Sequence, residues 1–381
     1  MNKLKIFLGL ACLLILASSI VTMSRWKEAR GVYDDVCYLR QAHLFQRFGM
    51  SGLDTDISRD DDHYLKDKLK EIDFADWNKP GRAPCHTPMP GTGKFVLQYP
   101  PGTGFMLALF PQGHQIIPLY ACAAVIVCFF ALLGIASGRT LSTTLGAGLF
   151  GCLAVYLMVN PAKASYSIAP TLVVCAAAGF LTALWLVRAP PNRSSLLPAA
   201  IGLLLGLAVN FRLPNLFLAS GYLLFFLYWF AASRRLQPVL QGIAFGAAFV
   251  VGMVPTLLAN AINAGSPFAT TYGSDDVVLP HINLDILRQY ATDLQFLLIL
   301  LAAGSTIWLL RARGEGGAHL VALIAAGNLL VNLAFFLSHP LFTPYYTVPV
   351  TMLSLWSLCF APLIPPKDTG ERELLEQAAR S

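Results

Sequence analysis

Asp34 and Asp35 are adjacent carboxylates in Gly31 to Gly49, GVYDDVCYLRQAHLFQRFG, and Tyr38 follows one helical turn on. On a helix Asp34 and Tyr38 are four residues apart and share a face. Val36, Leu39, Ala42, Phe45 and Phe48 recur every third residue, as one apolar side of a helix would. Gly49 suits the left-handed turn that ends such a helix. An acid pair fixed at an apolar boundary could do general-base chemistry, because partial desolvation raises a carboxylate's proton affinity. The same residues also fit an ordinary amphipathic helix whose acids are simply solvated.

What positions this segment is a chain made mostly of apolar runs. Of 381 residues, 56% are hydrophobic and 13% charged, with a mean hydropathy of +0.59. Soluble domains carry about twice that charged fraction, ~25%. The runs are too long for barrel strands and show no period of two. The fold class expected is an all-α polytopic membrane protein of about ten transmembrane helices, with interfacial helices in a large first external loop.

Lys3 and Lys5 precede an apolar run from Ile6 to Val21. That run exceeds the ~7–15-residue core of a cleaved signal peptide, and Met23-Ser24-Arg25 is a poor cleavage site. It reads as an uncleaved first span with a cytoplasmic N-terminus. Residues 24–113 form the one long polar stretch, with twelve Lys/Arg and twelve Asp/Glu between Ser24 and Gly104. Within it, Tyr64 to Trp77 is a helix candidate and the Pro- and Gly-rich Lys79 to Gly93 reads as loop. Phe105 to Phe110 is too short to span and reads as interfacial. Nine further spans are expected at Gln115–Ala136, Leu141–Val159, Ile168–Val187, Leu196–Asn210, Leu213–Ala232, Val239–Asn260, Leu294–Leu310, Ala318–Leu337 and Tyr345–Ile364. Arg139, Arg188, Arg193, Arg234, Arg235, Arg311 and Arg313 then fall in loops on the N-terminal side of the membrane, where the positive-inside rule wants them. Residues 1–365 read as a single integral membrane domain and 366–381 as a short cytoplasmic tail.

The net charge of +6 is spread in ones and twos at the ends of apolar runs, which excludes a nucleic-acid surface. Of eight cysteines, only Cys37 and Cys85 fall in the external polar stretch. They are the disulfide candidate, closing a loop worth ~4 kcal/mol in the chain-entropy model. Asp54-Thr55-Asp56 has the spacing of a divalent-metal motif. Two carboxylates alone hold Mg²⁺ or Mn²⁺ weakly, and in so acidic a loop solvated acids are the ordinary reading, so no cofactor is assigned.

The layout resembles the polytopic GT-C glycosyltransferases, a superfamily that includes the protein O-mannosyltransferases and the lipid A aminoarabinose transferases. The resemblance is carried by Asp34-Asp35-Val36-Cys37-Tyr38 directly after the first span, then Ala42 and Gly49, and by the double proline in Tyr99-Pro100-Pro101-Gly102 near the end of the same loop. The acidic pair is Asp-Asp where Asp-Glu is commoner, and Tyr99 stands where relatives often carry a charge. The motifs cover about the first 115 residues; beyond them only topology matches.

The resemblance implies transfer of a sugar from a polyprenyl-phosphate donor to a glycan, lipid or protein acceptor at the external, periplasmic face of a bacterial inner membrane. It makes Asp34 the general base and gives Asp35 an orienting role. The leaving phosphate needs a cation. Arg212, in Asn210-Phe211-Arg212-Leu213-Pro214, stands against the positive-inside trend and is the first candidate; the other reading is a snorkelling interfacial arginine. Lys163 and Arg40 are weaker candidates, and Tyr38 and Tyr99 complete the substrate-binding set. Tyr272 to Asp276 belongs to the acceptor-facing surface, and Tyr345 and Tyr346 fit an aromatic belt. The alternative function is a transporter or lipid-linked-sugar flippase. Such proteins place ionisable groups in mid-membrane and often repeat their halves. Here span interiors are almost uncharged and no internal repeat is visible.

Overall fold

The computed structural model describes residues 1–28, 33–79, 83–159, 165–188, 195–273, 279–311, 317–339, 341–343 and 345–365. Its helices are α1 (Asn2–Met23), α2 (Tyr33–Phe48), α3 (Tyr64–Glu71), α4 (Gly102–Ala108), α5 (Ile116–Ser137), α6 (Leu141–Leu157), α7 (Ile168–Ala183), α8 (Leu196–Val209), α9 (Ser220–Ser233), α10 (Leu236–Ala264), α11 (Leu284–Thr292), α12 (Leu294–Arg311), α13 (Gly317–Ser338) and α14 (Val348–Phe360). Among the described residues, seven helical segments are long and apolar enough to cross a membrane: α1, α5, α7 with its extension to Arg188, α9 with the 3₁₀ turn Leu213–Ala219, α10, α12 and α13. Helices α6, α8 and α14 are apolar but shorter, at 17, 14 and 13 residues. The tail 366–381 lies outside the described residues.

One feature departs from the all-helical expectation. Strand β1 (His86–Met89) pairs antiparallel with β2 (Lys94–Leu97), inside and beyond the stretch read as loop. Proline excludes a helix there. A two-stranded ribbon tolerates Pro88, because only alternate residues of an edge exchange bonds.

Several connections at one end of the bundle bond to one another. Gly102 N–H donates to Asn210 O at 2.7 Å, Thr271 Oγ1 to Gln98 O at 2.7 Å, and His281 N–H to Ser338 O at 2.8 Å. At the opposite end Lys5 Nζ donates to Ala136 O.

Close helix approach needs small residues, and α8 meets α10 through Gly202 and Gly206. A Cβ at either would collide with the carbonyl oxygen of Phe245 or Phe249. Two turns on, α10 contains Pro255, which has no N–H and crowds the preceding turn. The Asn210 side chain serves that defect. Its Nδ2 donates to Gly252 O at 2.7 Å and its Oδ1 accepts from Thr256 N–H at 2.9 Å and Thr256 Oγ1 at 2.7 Å.

Helix α2 is not the half-solvated surface helix that its sequence implies. Every residue from Asp35 to Phe45 is buried, the polar ones included. The acidic loop, the hairpin and α4 wrap it, so its polar side chains bond inward. Arg40, 0% exposed, donates to Thr55 O (3.0 Å), Asp56 O (2.9 Å) and His86 Nε2 (3.0 Å). Gln41 spans Tyr99 O and Gly104 N–H. His43 Nε2 lies 2.7 Å from Asp62 Oδ2.

Two expectations follow. Burial and the adjacent Arg40 push His86 down to about 3, so it stays neutral with Nδ1–H donating to Pro84 O. Between pH ~6.5 and ~3 the unfolded chain then binds a proton that the folded chain does not. Stability should fall as pH is lowered through that window, by up to about 1.4 kcal/mol per unit. His86→Gln should flatten the melting-temperature profile between pH 6.5 and 4, and an unchanged slope would exclude a buried neutral His86. Separately, Asn210→Ala orphans the α10 groups and should cost about 1–2 kcal/mol in detergent melts. An unaltered melt would mean that α10 satisfies itself at Pro255.

Candidate active site

Asp34 stands in the first turn of α2, half-buried. Its Oδ1 accepts a hydrogen bond from the Tyr99 hydroxyl at 2.6 Å. Cys37 and Cys85 are disulfide-bonded, and Cys85 Sγ lies 3.9 Å from the same oxygen. The Tyr99 ring stacks on Tyr38 with centroids 4.7 Å apart, and Ser167 is within hydrogen-bonding reach of the Tyr38 hydroxyl. Asp35 is wholly buried beside Asp34, and the charges of both acids are felt at Tyr345.

The guanidinium of Arg212 rests on two rings, 4.5 Å from the centroid of Tyr345 and 5.0 Å from that of Tyr346. Among the described residues it has no ion-pair partner, and its surroundings are phenols. Cation–π contact stabilises the charge while leaving the planar fork of donors free. Beneath it is a cavity with room for about one water molecule, lined by Asn215, Asn332, Phe336 and Tyr346 among others. Tyr272 completes the cluster, interacting electrostatically with Arg212, Asp34, Tyr345 and Tyr346.

The cluster's electrostatics have a simple consequence. Burial pushes the phenols of Tyr38, Tyr99 and Tyr272 well up; at Tyr99 the charge of Asp34 adds to it, and at Tyr38 and Tyr272 Arg212 opposes it. All three remain protonated donors, so Tyr99 O–H gives its proton to the Asp34 carboxylate bond and not the reverse. The arrangement offers a carboxylate oriented by one phenol, an anion receptor on aromatic faces, and flat ring surfaces between them.

Each member is held from elsewhere in the chain. Arg212 follows Asn210, so the amide bridge to α10 sets its height, and Asn215 just beyond donates to Thr171 Oγ1 and Ala208 O. Tyr99 precedes Pro100-Pro101-Gly102, where a Cβ on Gly102 would run into the Asn210 backbone. Thr103 Oγ1 donates to Phe211 O. The double-proline turn thus joins the Tyr99 and Arg212 segments directly. Gln98 N–H donates to Cys85 O, tying Tyr99 to the disulfide. Gln295 of α12 accepts from Thr347 N–H (2.9 Å) and Thr347 Oγ1 (2.8 Å) and donates to Thr343 O (2.9 Å), which fixes the tyrosine pair between them.

Asp34, Asp35, Tyr38, Tyr99 and Arg212 therefore come together, from segments up to 178 residues apart. Arg40 does not join them; it is a scaffold residue with burial holding it down at about 10, its Nη1 and Nη2 donating to Thr55 O and Asp56 O. Lys163, Asp275 and Asp276 lie outside the described residues. Asp54 and Asp56 serve as a latch: Asp54 pairs with Lys94 (3.0 Å) and Arg59 (3.5 Å), and Asp56 accepts from Phe95 N–H (2.9 Å) and the Ser58 hydroxyl (2.5 Å). Among the described residues no group of three or more His, Cys, Asp or Glu could hold a metal ion. The aromatic-belt reading of Tyr345 and Tyr346 missed their contact with Arg212, and nothing in the sequence marked Asn210 or Gln295.

Comparison of the chain with protein-family models, with curated proteins and with solved structures finds no match.

The hydroxyl and the ring of Tyr99 can be tested apart. Tyr99→Phe removes a charge-assisted hydrogen bond and should destabilise by about 1–2 kcal/mol, given that Asp34 is half-exposed. Tyr99→Ala also removes the stacked pair and should cost at least about 1 kcal/mol more. Equal melting shifts for the two variants would show that the ring contributes nothing.

Proposed function

We propose that this chain is a membrane glycosyltransferase of the GT-C type that uses a polyprenyl-phosphate-linked sugar. Its ten apolar helices span the membrane with both termini in the cytoplasm, and the Asp34–Arg212 cluster faces the periplasm of a bacterial inner membrane. The observation that carries this reading is the pairing of a half-buried, hydrogen-bonded Asp34 with an arginine that has no acidic partner among the described residues, across one set of tyrosines. The alternating course of the helices supports the topology. Every residue of the cluster lies in a connection or helix start at one end of the bundle, while Lys3, Lys5, Arg139, Arg234, Arg235 and Arg311 gather at the other.

The chemistry divides between the two poles. Asp34 takes the proton of an acceptor hydroxyl, whose oxygen attacks the anomeric carbon of the sugar. The bond from that carbon to the phosphate oxygen breaks, and Arg212 stabilises the charge left on the polyprenyl phosphate. Tyr38 and Tyr272 present faces and hydroxyls to the sugar between them. Tyr99 holds Asp34 in line, and buried Asp35 braces the first turn of α2. A flippase would need the arginine and the tyrosines but not a base.

Transfer from radiolabelled polyprenyl-phosphate sugars, measured in membranes with and without the protein, tests this directly. Asp34→Asn should lower turnover by about 10²–10⁴ while donor binding holds. Arg212→Ala should weaken donor binding, and Arg212→Lys should restore it only in part, because lysine lacks the planar fork. Sugar translocation without transfer in the wild type, unaffected by Asp34→Asn, would make the protein a flippase.

A further inference from the structure

The stretch from α10 to α12 carries large apolar side chains in a setting that water does not explain. Phe268 is 88% exposed, Leu279 82%, Ile282 74% and Leu284 77%. These are not loosely hung residues. Asn260 Nδ2 donates to Pro267 O, Thr271 Oγ1 to Gln98 O, and His281 N–H to Ser338 O. Asn283 caps α11 through Asp285 N–H and Ile286 N–H, and the buried Tyr290 sets its ring edge against Phe342, 4.9 Å between centroids. The backbone is pinned on its inner side while the apolar groups are turned outward.

The exposed surface is continuous with that of the membrane-crossing helices on either side. Leu258 and Ile262, in the last turns of α10, are exposed, as are Phe296 and Leu297 in the first turn of α12 and Leu341 after α13. Helix α11 is short, with Leu284 exposed at its start, Tyr290 buried at its end, and Asp285, Arg288 and Gln289 exposed between them. Large apolar groups fixed outward beside spanning helices, with exposed charges next to them, fit an element lying in the bilayer interface. On its inner side the same stretch carries Tyr272, which faces Arg212 and Asp34.

We propose that Phe268, Leu279, Ile282 and Leu284 form a lipid-embedded rim against which a long-chain isoprenoid lipid lies while its phosphate reaches Arg212. The embedding stands on exposure and anchoring alone. The part concerning the lipid substrate rests on the glycosyltransferase reading. Geometry favours this side because the rim and the arginine's tyrosines belong to adjoining segments, joined through His281 to Ser338 and through Tyr290 to Phe342.

N-ethylmaleimide crosses membranes but reacts only with thiolates in contact with water, so it separates the two environments. In the full-length protein reconstituted in phosphatidylcholine vesicles, Phe268→Cys and Ile282→Cys should label at least about tenfold more slowly than Arg288→Cys. They should match it once the protein is unfolded in urea with dodecyl sulfate, with wild-type labelling subtracted by intact mass. Labelling of both at the rate of Arg288→Cys in intact vesicles would overturn the embedding. For the substrate, Phe268→Ser combined with Ile282→Ser should raise KM about tenfold for a long-chain polyprenyl-phosphate sugar. It should leave a water-soluble short-chain analogue unchanged. Equal KM changes for both donors would overturn the route while the labelling result stands. No transfer by the wild type would refute the glycosyltransferase reading and leave the embedding intact.

Discussion

Asn210 is the joint on which the site depends. A proline inside α10 removes one donor and crowds a second rung, and an apolar bundle has no water to repair the loss. The Asn210 amide repairs it from α8, and its own backbone carbonyl accepts from Gly102, just after the double proline. One residue thereby fixes three segments: α10, the turn that carries Tyr99, and the start of the 3₁₀ helix that Arg212 precedes. The glycine contacts between α8 and α10 make this reach short enough. A bulkier pair would separate the helices and leave both the proline defect and the arginine unsupported.

The polar segment between α1 and α5 obeys the same rule by other means. A helix as polar as α2 can be buried only if most of its polar groups find partners, since an orphan in a low-dielectric interior costs far more than a satisfied pair gains. Arg40 binds carbonyls of the acidic loop and a neutral histidine of the hairpin, and Asp56 and Thr55 bind β2 in return. The acids that look like a metal motif in the sequence are spent on this closure. What the closure achieves is a fixed first turn of α2, with Asp34 left half-open and held by Tyr99.

Two poles of opposite charge then face one another across aromatic surfaces. Among the described residues neither is neutralised by direct pairing: Asp34 is held by a phenol and Arg212 lies on rings. Such an arrangement keeps both charges available at the cost of burying them beside polarisable groups. It suits a reaction in which a proton is taken at one side and an anion is released at the other.

Part of this was written in the chain itself. Long apolar runs, the α2 helix and its apolar positions, and the placement of Asp34, Asp35 and Tyr38 follow from helical period and composition, which are local properties. That Cys37 and Cys85 are the two thiols of the polar stretch is equally a matter of reading. Other assignments were decided only by tertiary packing. Arg40 and Arg212 are both single arginines beside apolar residues, and no local signal distinguishes a buried scaffold cation from one resting on tyrosines. The solvated face expected of α2 is buried because a loop up to sixty residues distant folds over it. The roles of Asn210, Gln295 and Tyr345 depend on partners in other helices, and hydrogen bonds across 46, 52 or more residues leave no periodic trace in a sequence.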